Sequence, residues 1–174
     1  MPNPTESWQL AVSPRSSLAD RSARRTPLGI VRLVLTRVDM TMDAADPDRL
    51  AEFWKAAVGY VDEPPPAPFT DRREWLRSFG EEIGDDEPIG AAWLVDPNGI
   101  APRLSILPVP EPKTAKNRLH FDLRVAADTP PGQRGTVLQA EVDRLIAVGA
   151  SVLWSMDDHH VTLVDPEGNE FCIA

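Results

Sequence analysis

The chain has 174 residues, one cysteine and a formal net charge of −9. This length is enough for one compact domain, or for two small fused modules with a hydrophobic core. A single cysteine excludes an internal disulfide and suits a reducing compartment, so we expect a cytoplasmic protein. The negative charge disfavours a nucleic-acid partner because its phosphates would be repelled. Apolar runs such as Ile30 to Leu35 are too short to cross a bilayer, so we expect no membrane partner either.

Residues 1–30 are rich in Ser, Pro and Arg and contain few apolar residues. This composition predicts a disordered N-terminal tail. The segment has no continuous apolar stretch after a basic start, which argues against a signal peptide. We therefore expect the folded part of the chain to be residues 31–174.

That folded part contains an internal repeat. Asp96-Pro97-Asn98-Gly99 recurs as Asp165-Pro166-Glu167-Gly168, and a helix-like segment ends in Val58-Gly59 in the first half and in Val148-Gly149 in the second. Repetition of this kind predicts two copies of one strand-helix-strands module. The Asp-Pro-x-Gly motifs themselves are typical of tight turns, because Pro fixes φ and Gly permits a positive φ.

Module one spans about residues 31–110. Alternation of apolar and polar residues predicts a strand from Leu33 to Ala44. Asp46 followed by Pro47 predicts the start of a helix, and Gly59 predicts its end. Three consecutive prolines open an insertion, residues 64–88, in which we expect one short helix. Two further strands are predicted at residues 90–95 and 103–109.

Module two spans about residues 117–174 and repeats this order with different loop lengths. A strand is predicted from Arg118 to Val125, followed by a loop rich in Pro and Gly and by a helix from Thr136 to Val148. The last three strands are predicted at residues 152–155, 160–164 and 169–173.

Three stretches of the sequence together indicate a family. They run from Ala45 to Tyr60, from Pro110 to Leu123 and from Asp165 to Cys172. They resemble the vicinal oxygen chelate superfamily, and within it the glyoxalase-like branch that includes glyoxalase I, bleomycin-resistance proteins and extradiol dioxygenases. The resemblance covers roughly Val31 to Ala174. It implies an α+β fold of two tandem βαβββ modules whose sheets form a cup, with the helices outside and a ligand inside.

The polar faces of the two first strands are the predicted ligand-binding surface. If helices cover the apolar faces, the opposite side chains must point into the cup. Charged groups in such a site are costly unless they pair with one another or with a ligand. The expected cup residues are Asp39, Thr41, Asp43, His120, Asp122 and Arg124, together with Ser105 as a further ligand-binding residue.

The resemblance also suggests a metal site. Metal-dependent relatives hold a divalent ion with His or Glu from the first and last strands of each module. The matching positions here are Asp39 and His120, and Cys172 stands where a glutamate is expected. This set is chemically able to hold Zn, Ni, Mn or Fe. Because the usual glutamates are missing, the alternative of no bound metal is favoured, with His120 as a hydrogen-bonded cavity histidine and Cys172 as a small buried residue.

Two classes of function remain. The first is an enzyme with lyase, isomerase or dioxygenase activity on a small oxygenated metabolite, in which Asp39 and His120 are the catalytic residues that move a proton next to a carbonyl group. The second is a non-catalytic protein that sequesters a drug, as bleomycin-resistance proteins do. In both classes the partner is a small-molecule ligand. Relatives that dimerise lead us to expect a homodimer.

Overall fold

The computed structural model describes residues 36–156 and 159–174. These residues form an α+β fold with two four-stranded sheets. The expected disordered tail at residues 1–30 and the start of the first predicted strand lie outside the described residues. Within the described part of the chain, no helix is both long and apolar enough to cross a membrane.

Module one supplies the first sheet, which we call sheet A. Its strand order is β1-β4-β3-β2, with β1 parallel to β4 and the other pairs antiparallel. The elements in chain order are β1 (Met40–Ala44), α1 (Pro47–Val58), β2 (Val61–Asp62), α2 (Arg72–Arg77), β3 (Ala92–Val95) and β4 (Leu104–Pro108).

Module two supplies sheet B with the same topology. Its strand order is β5-β8-β7-β6, and again the first strand is parallel to the last. The two sheets therefore confirm the predicted repeat, and each sheet remains open. The elements are β5 (Asp122–Leu123), α3 (Pro131–Ala147), β6 (Ser151–Met156), β7 (His160–Val164) and β8 (Glu170–Ile173).

Several predicted boundaries are wrong. The strand predicted from Arg118 to Val125 is only the two residues of β5, so Leu119 precedes it and is 76% exposed instead of covered by a helix. For the same reason Val38, which precedes β1, is 65% exposed. Helix α3 begins at Pro131 rather than Thr136, because proline is well tolerated in the first helical turn. The short strand β2 was not predicted.

Helix α1 carries the residue on which the main core is centred. Its amphipathic pattern buries Trp54 against Phe53 of the same helix and against Phe121 and Phe171 of module two. The Trp54 ring centroid lies 5.1 Å from that of Phe121 and 5.4 Å from that of Phe171, both in edge-to-face geometry. Through Trp54, a helix of module one therefore contacts Phe171 of β8 and Phe121, which directly precedes β5.

Polar contacts fix the same junction. The indole Nε1 of Trp54 donates to Oδ2 of Asp165 at 3.3 Å, and the Glu167 carboxylate accepts from the backbone N–H groups of Ala45 and Asp46 at 2.8 and 2.6 Å. A carboxylate at this position also complements the positive end of the α1 dipole. Burial raises the pKa of Asp165, while hydrogen bonds from Asn169 and Trp54 act in the opposite direction. The repeated turn of module two thus holds the N-terminus of α1.

We predict that Trp54→Phe lowers the free energy of unfolding by about 2 to 3 kcal/mol, because the smaller ring leaves a void and Asp165 loses a buried donor. Urea denaturation measures this change. Trp75→Phe is the matched control, since Trp75 is also buried but belongs to a different core cluster. Equal losses of stability in the two variants would contradict a specific contribution of the Trp54–Asp165 hydrogen bond.

Candidate functional site

Two cavities meet at the boundary between β1 and β5, which we call the seam. The larger has a volume of about 850 Å³ and is lined by Thr41, Asp43 and His120, among others. The second, of about 620 Å³, is lined by His120, Asp122 and Arg124 together with apolar residues of both modules. His120 therefore lies at the point that both cavities share.

His120 also belongs to a compact group with Asp122 and Cys172. One ligand atom from each of the three side chains lies within 4.8 Å of the other two. His120 Nδ1 is 3.5 Å from Asp122 Oδ1, and the Cys172 Sγ is 3.4 Å from the hydroxyl of Thr162. The group combines an imidazole, a carboxylate and a thiol on one surface.

The strand register explains why these side chains converge. Asp122 of β5 is paired with Cys172 of β8, and Cys172 is paired with Thr162 of β7. Directly paired residues on adjacent strands point to the same face of a sheet. Along β8, Phe171 and Ile173 are buried in the core, so Cys172 points to the opposite, accessible face. We call this surface the open face of sheet B.

The structure brings most of the predicted site residues to the seam. Thr41, Asp43, His120, Asp122 and Arg124 each line one or both of the two cavities. Asp39 is exposed just before β1 and lines neither of them. Of the predicted metal set, His120 and Cys172 lie together, and Asp122 rather than Asp39 completes the group.

Ser105 lies in a different environment from the other predicted ligand-binding residues. It is only 6% exposed, and it is paired with Thr41 on one side and with Trp93 on the other. Trp93 forms a small second core with Trp75 and Leu76 of the insertion. The insertion therefore covers the face of sheet A to which Ser105 points.

The Arg72 side chain, stacked on two tryptophan rings, also holds the insertion against sheet A. The Arg72 guanidinium lies 4.9 Å from the ring centroid of Trp75 and 4.8 Å from that of Trp93, a cation–π arrangement. Arg72 and Arg103 both pair with Glu63, at 3.4 and 2.9 Å. The cover of sheet A is thus held by aromatic and ionic contacts together.

Glu170 is a residue of the site that the sequence analysis missed. Its Oε2 accepts from the Asn117 backbone N–H at 3.0 Å and pairs with Lys113 Nζ at 3.1 Å. The Asn117 hydrogen bond is the largest of the contacts that lower the pKa of Glu170 to about 2. Its position two residues before Cys172 on one strand was the available signal, because such residues share a face. Glu170 therefore holds Lys113 and Asn117, which lie between the two modules, at the wall of the larger cavity.

The arrangement permits two kinds of chemistry. A histidine beside a carboxylate can be oriented to donate or accept a proton, as general acid and base groups do. Imidazole nitrogen, thiolate sulfur and carboxylate oxygen are also the three ligand types that zinc accepts in proteins. Both uses need an accessible position for a ligand, and the open face of sheet B provides one.

Comparison with models of protein families identifies the family of this chain. Residues 39–174 match the family model described as a glyoxalase-like domain. The chain belongs to this family. It is accordingly a member of the vicinal oxygen chelate superfamily, as the resemblance in the sequence predicted.

Two solved structures of fosfomycin resistance proteins support the same fold. The fosfomycin resistance protein FosX from Mesorhizobium loti is similar at 9% identity, covers 81% of this chain and 91% of its own, and has a TM-score of 0.52. FosX from Listeria monocytogenes, crystallised with Mn(II) and sulfate, is similar at 8% identity over 81% and 92% of the two chains, with a TM-score of 0.51. A glyoxalase/bleomycin resistance protein/dioxygenase family enzyme from Burkholderia phytofirmans has 15% identity, coverage of 79% and 97%, and a TM-score of 0.48. A comparison with curated protein sequences finds no match.

We predict that Glu170→Gln lowers the free energy of unfolding by about 1 to 2 kcal/mol at pH 7, because a neutral amide pairs less strongly with Lys113 and the Asn117 N–H. The pKa of Glu170 is lower in the folded protein than its ordinary value of 4.5. Its contribution is therefore complete above pH 4.5 and is lost as the pH falls towards about 2.

Urea denaturation of both proteins between pH 7 and pH 3 checks this prediction, and the stability difference should shrink as the pH falls. Glu82→Gln, a change of an exposed glutamate in the insertion, is the control. A difference that stays constant over this pH range would show that the Glu170 charge does not stabilise the fold.

Proposed function

We propose that this protein binds a small oxygenated molecule at the seam, with His120 as the residue that anchors it. The observation that supports the proposal is the position of His120, which lines both cavities and also belongs to the group with Asp122 and Cys172. Ligand sites in proteins are typically concave, largely apolar and furnished with a few convergent polar groups. The seam has these properties.

The seam contains complementary polar and apolar surfaces for such a ligand. Phe121 lines both cavities, is partly exposed and offers aromatic surface to the carbon skeleton. The hydroxyl of Thr41 and the imidazole of His120 are donors for ligand oxygens, and Arg124 adds a cationic donor in the smaller cavity. A molecule with several oxygens on a compact skeleton satisfies both surfaces.

A second candidate function is binding of a divalent metal by His120, Asp122 and Cys172. The three ligand atoms are close enough to converge on one ion, and thiol and imidazole ligands favour zinc over magnesium or calcium. Three protein ligands leave an open coordination position. A metal bound there would supply Lewis acidity to adjacent ligand oxygens. His120, Asp122 and Cys172 would then hold the ion, and Arg124 and Thr41 would orient the rest of the ligand.

We predict that His120→Ala weakens ligand binding at least tenfold, about 1.4 kcal/mol, because it removes the polar contact that both cavities share. Calorimetric titration of the untagged protein with catechols and with oxoaldehyde adducts measures this effect. His159→Ala is the matched control, since His159 is an exposed histidine that lines neither cavity. If the two alanine variants bind equally well, His120 is not the anchor and the proposal is wrong.

For the metal, we predict that Cys172→Ser and His120→Ala each lower the affinity for Zn²⁺ by at least the roughly 10- to 100-fold that is typical when a residue supporting a metal ligand is lost, while Asp39→Asn leaves it unchanged. The physical reason is that Cys172 and His120 belong to the converging group and Asp39 does not. Titration of Zn²⁺ followed by calorimetry, with elemental analysis of the purified protein, checks this expectation. A loss of affinity in Asp39→Asn equal to that in Cys172→Ser would favour the ligand set suggested by the family resemblance instead.

A further inference from the structure

A single row of paired residues crosses the whole of the open face of sheet B. Asp122 is paired with Cys172, Cys172 with Thr162, and Thr162 with Trp154. Each of the four strands contributes one side chain, and neighbouring strands lie about 4.8 Å apart, so the row is roughly 14 Å long. It runs from the polar group that contains His120 to an indole ring at the far edge of the sheet.

A β-bulge places Trp154 on this row. Before the bulge, Val152 is paired with Leu163, which is fully buried on the core side of the sheet. After it, Trp154 is paired with Thr162 on the open face. Without the extra residue, Leu153 would pair with Thr162 and Trp154 would point to the core side, because side chains alternate along a strand. The bulge therefore turns Trp154 to the open face, where a regular strand would have turned it to the core side.

The exposed indole of Trp154 is in contact with a second aromatic ring, that of His160. Trp154 is 50% exposed, and its ring centroid lies 5.2 Å from that of His160 on the adjacent strand, with the planes tilted by 59°. The corresponding face of sheet A is covered by the insertion, where Trp75 packs on Trp93. Within residues 36–156 and 159–174, no second small core of this kind covers the open face of sheet B.

We propose that Trp154 is a platform for a planar ring in the ligand whose oxygen-bearing end is held at His120, Asp122 and Cys172. This inference rests on the proposed function and specifies the class of substrate. An aromatic or heteroaromatic ring joined by a short linker to an oxygen-bearing head matches the length of the row and the chemistry at its two ends. The exposed faces of aromatic side chains favour planar ring partners, in stacked or edge-to-face geometry. Thr162, in the middle of the row, is a donor for a polar atom in the linker.

Two probes with a common head test the proposal. Catechol carries the oxygens alone, and the phenethyl amide of protocatechuic acid carries the same oxygens, a polar linker and a second ring. We expect the amide to bind wild-type protein about tenfold more tightly than catechol in calorimetric titrations. Trp154→Ala should remove this advantage without changing the affinity for catechol, and Trp154→Phe should retain most of it.

The matched control is Leu153→Ala, because Leu153 is the adjacent bulge residue and is 59% exposed. It should keep the full advantage of the amide. The proposal that Trp154 is a platform is wrong if the amide binds wild-type protein no more tightly than catechol does. It is also wrong if the amide binds wild type and Trp154→Ala equally tightly. Failure of the proposed function has a different signature, which is unchanged catechol binding in His120→Ala.

Sedimentation of wild type and Trp154→Ala distinguishes a small molecule from a second copy of the chain as the occupant of this face. We expect the two proteins to sediment alike. Self-association that disappears in Trp154→Ala, together with an unchanged ratio of the two probe affinities, would show that the face is a protein interface and would overturn the proposal.

Discussion

The packing of Trp54 between the two modules is the contact on which the rest of the structure depends. Among the residues that the structure describes, no strand of one sheet is hydrogen-bonded to a strand of the other, and the contacts between the modules are made through side chains. Trp54 brings helix α1 of module one onto Phe121 and Phe171 of module two, and the Asp165 turn fixes its orientation. Because Phe121 adjoins both His120 and Asp122 along the chain, the same contact sets the position of the polar group relative to β1. The geometry of the seam therefore follows from the main core.

The two modules share a topology but use their exposed faces differently. In sheet A the insertion supplies Trp75 and Arg72, which cover the face that carries Ser105. In sheet B the equivalent face carries the polar group around Cys172. The insertion thus covers one of two similar faces and leaves the other accessible. This division places the candidate site on module two and at its boundary with module one.

The sequence predicted the type and order of most elements because the signals were local. Asp46, Pro47 and Gly59 define the ends of α1 by capping chemistry, and alternation identifies β7 and β8. The candidate site was predicted only in part. His120 and Cys172 were identified from the family pattern, but the choice between Asp39 and Asp122 depends on which strands share a sheet, and that is a long-range property. Burial of Ser105 likewise depends on where an irregular insertion packs, which periodicity does not encode.

The bulge in β6 has a further physical consequence for the behaviour of the protein in concentrated solution. Strand β6 is the edge of sheet B, and it presents Leu153, Trp154 and Met156 to solvent. A regular edge with such apolar side chains is a template on which strands of other molecules can add and aggregate. The extra residue at the bulge breaks the regular spacing of backbone donors and acceptors along that edge. One inserted residue thus turns an aromatic ring to the open face at a sheet edge while opposing the growth of intermolecular sheets.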